Sequence, residues 1–431
     1  MYPNLYYFIK ESFGVEPWTW TKYVNSFGFF VAIAFILAAI VLTKELQRKE
    51  RAGLIFPKEE TIIVGQPASI SELLLNAIFG FVVGYKLLGI FMNQQEVSPQ
   101  EYIFSTKGNW GGGVALALLF AWLKYREKNK QKLAKPEERK IRVWPHERVG
   151  NLAIMAAIFG FLGAKVFDNL ENWGRFIKDP IGNLFSPSGL TFYGGLIFAA
   201  IAILRYSRKK QIGIRHLLDA FAPTLMLAYA IGRIGCQVSG DGDWGIENTA
   251  YVTNPDGKVA LASPSGLEKM MLENSAYYKT VPHLSVKAPS FLPDWTVAYA
   301  YPHNVNDQGF KMPACTGDHC YALQVPVFPT PVYEITVCLL LFVVLLLLRK
   351  RISVPGQIFS IYLVMNGLER FFIEKIRVNT KYSIFGFHPT QAEIISALLV
   401  IGGIIMFFRL IKMNKTKSNK IWDSSGLVYL S

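Results

Sequence analysis

The sequence predicts an all-α polytopic membrane protein with about nine transmembrane helices, its N-terminus outside and its C-terminus in the cytoplasm. Three observations carry this reading. Apolar residues make up 51% of the 431 residues and charged residues only 18%, where a soluble domain carries about a quarter charged. Apolar runs long enough to span a bilayer recur along the chain. The basic residues collect in alternate connections, as the positive-inside rule requires of a cytoplasmic face. Those connections account for the net charge of +14, which is therefore no sign of a nucleic-acid partner.

The nine runs fall at roughly 26–43, 72–92, 111–124, 149–168, 189–205, 216–235, 331–348, 356–373 and 391–409. The third and fifth are short and glycine-rich at their outer ends. Basic stretches follow the odd-numbered runs: 44–51, Lys124 to Arg148, Arg205 to Arg215, Arg349-Lys350-Arg351, and Arg409 to Lys420. Residues 1–25 hold Glu11 and Glu16 and no basic n-region. No cleavable signal peptide is expected, and the first run is retained as a helix. The expected parts are an N-terminal segment with the first helix (1–43), a helical hairpin (72–124), helices four to six (149–235), an irregular extracytoplasmic subdomain (236–330), helices seven to nine (331–412) and a cytoplasmic tail (413–431). The tail is basic and polar, which marks it as surface or disordered.

The hairpin is a duplicate. Ala77-Ile-Phe-Gly-Phe81 recurs as Ala157-Ile-Phe-Gly-Phe161, and each copy leads to a lysine, Lys86 and Lys165. Phe104-Ser-Thr-Lys-Gly108 is matched by Phe185-Ser-Pro-Ser-Gly189, then Gly111-Gly-Gly113 by Gly194-Gly195, each followed by an apolar helix with a basic end. An ordered string of matches about eighty residues apart marks an internal repeat. Both copies run in the same direction, unlike the inverted repeats of many transporters.

The cysteines divide by place. Cys236 and Cys338 lie at or in the membrane. Cys315 and Cys320, in Cys-Thr-Gly-Asp-His-Cys, read as a local disulfide outside the cytoplasm. A zinc site using His319 has too few ligands nearby.

Three clusters carry chemistry. Gly189-Leu-Thr-Phe-Tyr-Gly-Gly-Leu196 lets backbones approach closely and frees amide donors. Plain helix packing would also account for Gly194 and Gly195, and an interfacial belt for Tyr193. Gly232-Arg-Ile-Gly-Cys-Gln-Val-Ser-Gly-Asp-Gly-Asp-Trp-Gly245 sets an arginine fork beside a glycine-rich turn with Asp241 and Asp243, which suits a phosphate or glycerol headgroup. An arginine snorkelling to the headgroups is the plainer account of Arg233. In Glu369-Arg370-Phe-Phe-Ile-Glu374-Lys-Ile-Arg377, Arg370, Glu374 and Arg377 share one helix face. Part of that stripe is a satisfied ion-pair ladder. Such a stripe adds little stability of its own, and charged groups at a membrane edge orient charged ligands.

With Phe328-Pro-Thr-Pro-Val-Tyr-Glu334 between the second and third clusters, the motifs in this order resemble the prolipoprotein diacylglyceryl transferase family (phosphatidylglycerol:prolipoprotein diacylglyceryl transferase). The resemblance covers helix one and helices four to nine. Helices two and three look like an addition to the family's seven-helix core. The resemblance implies transfer of the diacylglyceryl group of phosphatidylglycerol to the cysteine thiol of a lipobox in a prolipoprotein signal peptide, with release of glycerol phosphate. This is the first step of bacterial lipoprotein maturation. It further implies the bacterial cytoplasmic (inner) membrane, with the site toward the outer leaflet. The family's headgroup-binding arginines match Arg233 and Arg370, its glutamate Glu374 and its closing glycine Gly245. Its acidic residue falls on Asp243 or Asp241, because the spacing is one residue longer here. Its histidine before the paired glycines is Tyr193, its asparagine is Cys236, and its tyrosine in helix one falls on Phe27.

The expected catalytic set is therefore Tyr193, Arg233, Asp243, Arg370 and Glu374, with Gly194, Gly195, Cys236, Gly245 and Arg377 around the substrate. A tyrosine with a pKa of about 10 is a poor base. The proton acceptor stays open between a Tyr193 activated by arginines, an acidic residue, and a thiol that loses its proton late. No metal or cofactor is signalled. The expected partners are phosphatidylglycerol, lipobox signal peptides and the bilayer. The alternative is a catalytically inactive phosphatidylglycerol-binding paralogue or a lipid or solute transporter; a transporter should carry charged or broken helices at mid-membrane in both halves.

Overall fold

A computed structural model describes residues 1–92, 102, 105, 107–186, 189–263, 281–379, 382–383 and 386–426. Its helices are α1 (Leu5–Phe13), α2 (Ser26–Arg51), α3 (Ile70–Met92), α4 (Trp110–Lys130), α5 (Val149–Glu171), α6 (Trp173–Lys178), α7 (Pro180–Phe185), α8 (Phe192–Lys209), α9 (Ile214–Ser239), α10 (Thr330–Leu348), α11 (Gln357–Glu374) and α12 (Gln391–Gly426). Each of the nine apolar runs is one of these helices. Lipid offers the backbone no hydrogen-bond partner, so a spanning segment closes its bonds within itself. Among the described residues, α2, α3, α5, α9, α10 and α12 are long and apolar enough to cross a membrane. The protein is thus a mostly helical, multi-pass membrane protein. The last helix runs on beyond its apolar run. No glycine or proline interrupts the chain between Gly403 and Gly426, and α12 continues to Gly426. Residues 427–431 lie outside the described ones.

The chain divides into two compact units, Met1–Glu45 with Arg215–Ser431, and Leu46–Ile214. Both copies of the repeat belong to the second unit, where α3 lies against α4 and α5 against α8. Glycines set both contacts. A Cβ on Gly112 would stand 2.9 Å from the Gly84 carbonyl oxygen, and one on Gly195 2.7 Å from that of Gly160. Such small-residue contacts let helices meet backbone to backbone in lipid. The matched lysines do matched work. The Lys86 ammonium donates to the carbonyls of Tyr102 at 3.2 Å, Lys107 at 2.8 Å, and Ser105. The Lys165 ammonium donates to the carbonyls of Ser186 at 2.9 Å and Gly189 at 3.4 Å. Each lysine thereby holds the turn that feeds the second helix of its copy. The matched strings at 104–108 and 185–189 fall partly outside the described residues. Strands β1 (Lys58–Val64) and β2 (Glu137–Val143) pair antiparallel, and Glu60 meets Arg148 at 2.9 Å and Lys210 at 2.8 Å.

In the first unit, α9, α10 and α11 enclose a core of Ala222, Met226, Ala230, Cys338, Leu345 and Ile358. The Asp219 carboxylate of α9 accepts from the Gly356 N–H at 2.8 Å and the Phe359 N–H at 3.0 Å, satisfying donors that the start of α11 leaves open. Cβ atoms on Gly367 and Gly403 would each stand 2.8 Å from a carbonyl oxygen of the facing helix, so α11 and α12 also meet through their backbones. The subdomain after α9 is built from short pairs: β3 (Glu247–Asn248) parallel to β6 (His283–Leu284), β4 (Tyr251–Thr253) antiparallel to β5 (Val259–Leu261), and β7 (Phe310–Lys311) antiparallel to β8 (Tyr321–Ala322). Cys315 and Cys320 are disulfide-bonded with Cα atoms 5.5 Å apart. Residues 264–280 lie outside the described ones.

Candidate active site

Three distant stretches meet in the first unit. The Gly245 N–H donates to the Phe328 carbonyl at 2.9 Å, and the Ile246 N–H to the Ile376 carbonyl at 2.9 Å. Gly245 faces Arg377 as an isolated bridge. A Cβ on Gly245 would stand 2.8 Å from both of those carbonyl oxygens, so the closing glycine of the motif is a packing requirement. The Thr330 hydroxyl donates to the Asp243 carbonyl at 3.2 Å. The loop after α9 is thereby pinned across the starts of α10 and the end of α11.

Charges converge on this junction. Glu334, in the first two turns of α10, is fully buried. It accepts from the Tyr229 hydroxyl at 2.7 Å. It meets Arg233 Nε at 3.0 Å, Arg370 Nη1 at 3.2 Å and Arg377 Nη1 at 3.7 Å. Arg370 also reaches Glu374, one turn on, at 3.1 Å, and Asn379 donates to Glu374 at 2.5 Å. Asp243 pairs with both Arg233 and Arg377. The Arg233 guanidinium lies over the Tyr229 ring, 5.3 Å from its centroid. The arginine side chains are 8–20% exposed and Asp243 is 34% exposed, so Asp243 is the most open acid of the cluster. Burial, and then the Arg370 charge, push the Arg377 guanidinium below its ordinary range, a direction that a bound anion reverses.

The structure brings together Arg233, Asp243, Gly245, Arg370, Glu374 and Arg377. Cys236 joins them: Arg233 Nη1 lies 3.7 Å and Asp243 Oδ2 4.0 Å from its sulfur. Of the two aspartates allowed by the spacing, Asp243 carries the arginine contacts. Asp241 turns into its own loop, accepting from the Asp243 N–H at 3.2 Å. Glu334 and Glu369 stand in the sequence motifs without a role of their own there, and Tyr229 is not marked by the sequence. An acid in the first turns of an apolar run is itself the signal that finds Glu334. Glu369 is 6% exposed, and among the described residues neither of its carboxylate oxygens has a hydrogen-bond partner.

Tyr193, Gly194 and Gly195 belong to the second unit. Tyr193 stands in the first turn of α8, its ring edge-on to Phe192 with centroids 5.7 Å apart. Gly194 and Gly195 are buried against α5, the packing role. Phe27 opens α2, and its carbonyl oxygen would lie 3.3 Å from a Cβ on Gly235.

Chemically, three guanidinium groups on a buried frame offer forked donors to one anion and hold negative charge that develops on it. The sequence profile of prolipoprotein diacylglyceryl transferase matches residues 108–409. The match takes in α4, which the sequence reading had placed with the addition. The chain is 26% identical over 275 residues to the phosphatidylglycerol–prolipoprotein diacylglyceryl transferase of Dehalococcoides mccartyi, covering 63% of this chain and 80% of the relative. It is 34% identical over 159 residues to that of Leptospira interrogans, covering 31% and 49%, and 25% identical over 264 residues to that of Shouchella clausii, covering 61% and 75%. With the motif order, the arginine cluster and a match across most of its length, this chain belongs to the prolipoprotein diacylglyceryl transferase family.

Proposed function

We propose that this protein transfers the diacylglyceryl group of phosphatidylglycerol to the lipobox cysteine thiol of prolipoproteins and releases glycerol phosphate. The observation that carries this is the buried cluster of Arg233, Arg370 and Arg377 around Glu334, in a chain of this family. In this reading the chain crosses the bacterial cytoplasmic membrane nine times, N-terminus outside and C-terminus inside. The alternating basic connections support that orientation, and it sets the arginines toward the outer leaflet.

The lipid phosphate takes over guanidinium donors that Asp243 now occupies on Arg233 and Arg377, one anion replacing another. The thiolate sulfur bonds to the glycerol carbon that bears the phosphate ester. The carbon–oxygen bond breaks, and its electron pair leaves on the phosphate, which the arginines hold. A placed donor of this kind contributes about 3–4 kcal/mol. The thiol proton passes to the Asp243 carboxylate, which the phosphate frees from its arginines. Tyr193 supplies a hydrogen-bonding hydroxyl where the family has histidine. Glu374 and Glu334 keep the arginines aimed. Gly194, Gly195, Cys236 and Gly245 shape the surroundings of the substrate.

The test is purified protein with phosphatidylglycerol and a lipobox peptide, scored by the peptide's mass gain of one diacylglyceryl group and by release of glycerol phosphate. Phosphatidylglycerol binding without either product would make the protein an inactive paralogue and overturn the proposal.

A further inference from the structure

We propose that two aromatic patches of the first unit, at residues 8–20 and 291–295, dip into the headgroup boundary of the leaflet beside the subdomain and clamp that subdomain to the membrane surface. The first patch is the far side of a segment pinned to protein. The Tyr7 hydroxyl accepts from the Asp318 N–H at 3.0 Å, Lys22 meets Asp318 at 3.0 Å, and the Met1 ammonium donates to the Pro302 carbonyl at 2.9 Å. Exposed on the same segment are Phe8, Phe13, Trp18 and Trp20, with Phe13 68% and Trp18 75% exposed. These rings are organised. Phe8 meets Phe13 edge-on at 6.3 Å, and Trp18 stacks on Trp20 at 6.2 Å. Their height is set by the first span. The Leu5 N–H donates to the Val24 carbonyl at 3.0 Å, and the Ser26 N–H, at the start of α2, to the Pro3 carbonyl at 3.0 Å.

The second patch tips a braced loop of the subdomain. The buried Tyr251 hydroxyl donates to Asp294 at 2.7 Å and accepts from the Ala288 N–H at 2.9 Å, so both ends of the loop are held. The Tyr333 hydroxyl, in the first turn of α10, donates to the Thr296 carbonyl at 2.5 Å. The loop therefore emerges at the mouth of a second span. Its tip presents Leu292, Trp295 and Phe291, the last 81% exposed.

The partner that fits is a lipid surface. The spans that start next to the two patches also carry exposed apolar side chains in their first turns, Phe27 and Phe29 on α2 and Val337 and Leu340 on α10. Aromatic rings, tryptophan above all, favour the headgroup level, and an amphipathic segment lies there with its apolar face a few ångströms deep. Lys10 and Lys22 flank one patch, paired with Glu16 at 3.1 Å and Asp318 at 3.0 Å. One extended peptide would need one continuous groove, whereas these patches stand at the ends of two different spans. The clamp has a consequence for the site, because the Asn306 amide of the subdomain holds the Asp241 carbonyl at 2.7 Å, two residues from Asp243. The inference rests on the membrane placement of α2 and α10, not on the transferase reading.

The test uses the full chain in lipid nanodiscs of phosphatidylcholine and phosphatidylglycerol. A nitroxide is placed on Phe13→Cys and, separately, on Phe291→Cys; Cys236 and Cys338 are buried and Cys315 and Cys320 are bonded to each other, so the new thiol takes the label. Collision with oxygen should exceed collision with a water-soluble nickel chelate several-fold at both positions. Nickel-favoured collisions at either position overturn the proposal. So does protection that appears only when a lipobox peptide is added, which would make the precursor the occupant. A second measurement needs no cysteine: Trp295→Phe should lower the quenching of tryptophan fluorescence by brominated lipid. Unchanged quenching would overturn the second contact.

Discussion

Glu334→Gln is the substitution that tests the arginine frame most directly. Glu334 is fully buried and meets Arg233, Arg370 and Arg377, besides accepting from Tyr229. Glutamine keeps the shape and the tyrosine bond and removes the charge. Three guanidinium groups then share two paired carboxylates, Asp243 and Glu374. Removing one partner from a buried ionic network costs about 3–5 kcal/mol, because the other charges stay buried and unpaired. At roughly 2 °C per kcal/mol for a chain of this size, Tm should fall by about 6–10 °C. Turnover should fall by about 10²–10³-fold, since the donors lose their aim on the leaving phosphate. Glu334 acts through the arginines, so the loss should fall on kcat more than on KM, and Glu334→Asp should recover part of it. The double variant Glu334→Gln with Arg370→Gln removes one charge of each sign. It should regain much of the Tm and none of the turnover. The assays are thermal unfolding in detergent and mass-spectrometric transfer to a lipobox peptide. Parental Tm and turnover in Glu334→Gln would falsify the frame, as would a double variant no more stable than the single one.

Arg233→Ala and Arg370→Ala should each abolish transfer while the protein remains inserted in the membrane, a rise of about 3–4 kcal/mol in the barrier. Lysine at either position should rescue only in part, having no planar fork; near-normal turnover of the alanine variants in detergent speaks against the assignment. Tyr193→Phe should lower turnover strongly with little change in stability or lipid affinity, and Tyr193→His should retain some activity. A parental rate for Tyr193→Phe at every pH leaves Tyr193 with no chemical role. Glu369→Leu removes a buried carboxylate whose two oxygens have no hydrogen-bond partner among the described residues, so it should raise stability by about 1–3 kcal/mol, read as a higher Tm. A lower Tm would show that the Glu369 carboxylate is held after all.

The sequence by itself determined the helices, because in lipid an apolar run has only its own backbone to bond with. All nine runs are helical. The repeat was legible too, down to its lysines, since Lys86 and Lys165 hold equivalent turns in the structure. Arg233, Arg370, Glu374 and Arg377 were readable because a charge beside an apolar run is conspicuous. The last helix was underestimated: a polar composition says nothing against a helix that no glycine or proline breaks. Only the tertiary structure decided the rest. Glu334 lies about a hundred residues from Arg233, and no local pattern says that one buried carboxylate meets three arginines. The spacing allowed Asp241 or Asp243, and the pinning of Gly245 between Phe328 and Ile376 is what turns Asp243 to the arginines. Arg370 and Glu369 are neighbours in the chain, yet one is bound by two acids and the other's carboxylate has no hydrogen bond among the described residues. Adjacent residues on a helix point about a hundred degrees apart, and what stands in each direction is a property of the packed helices.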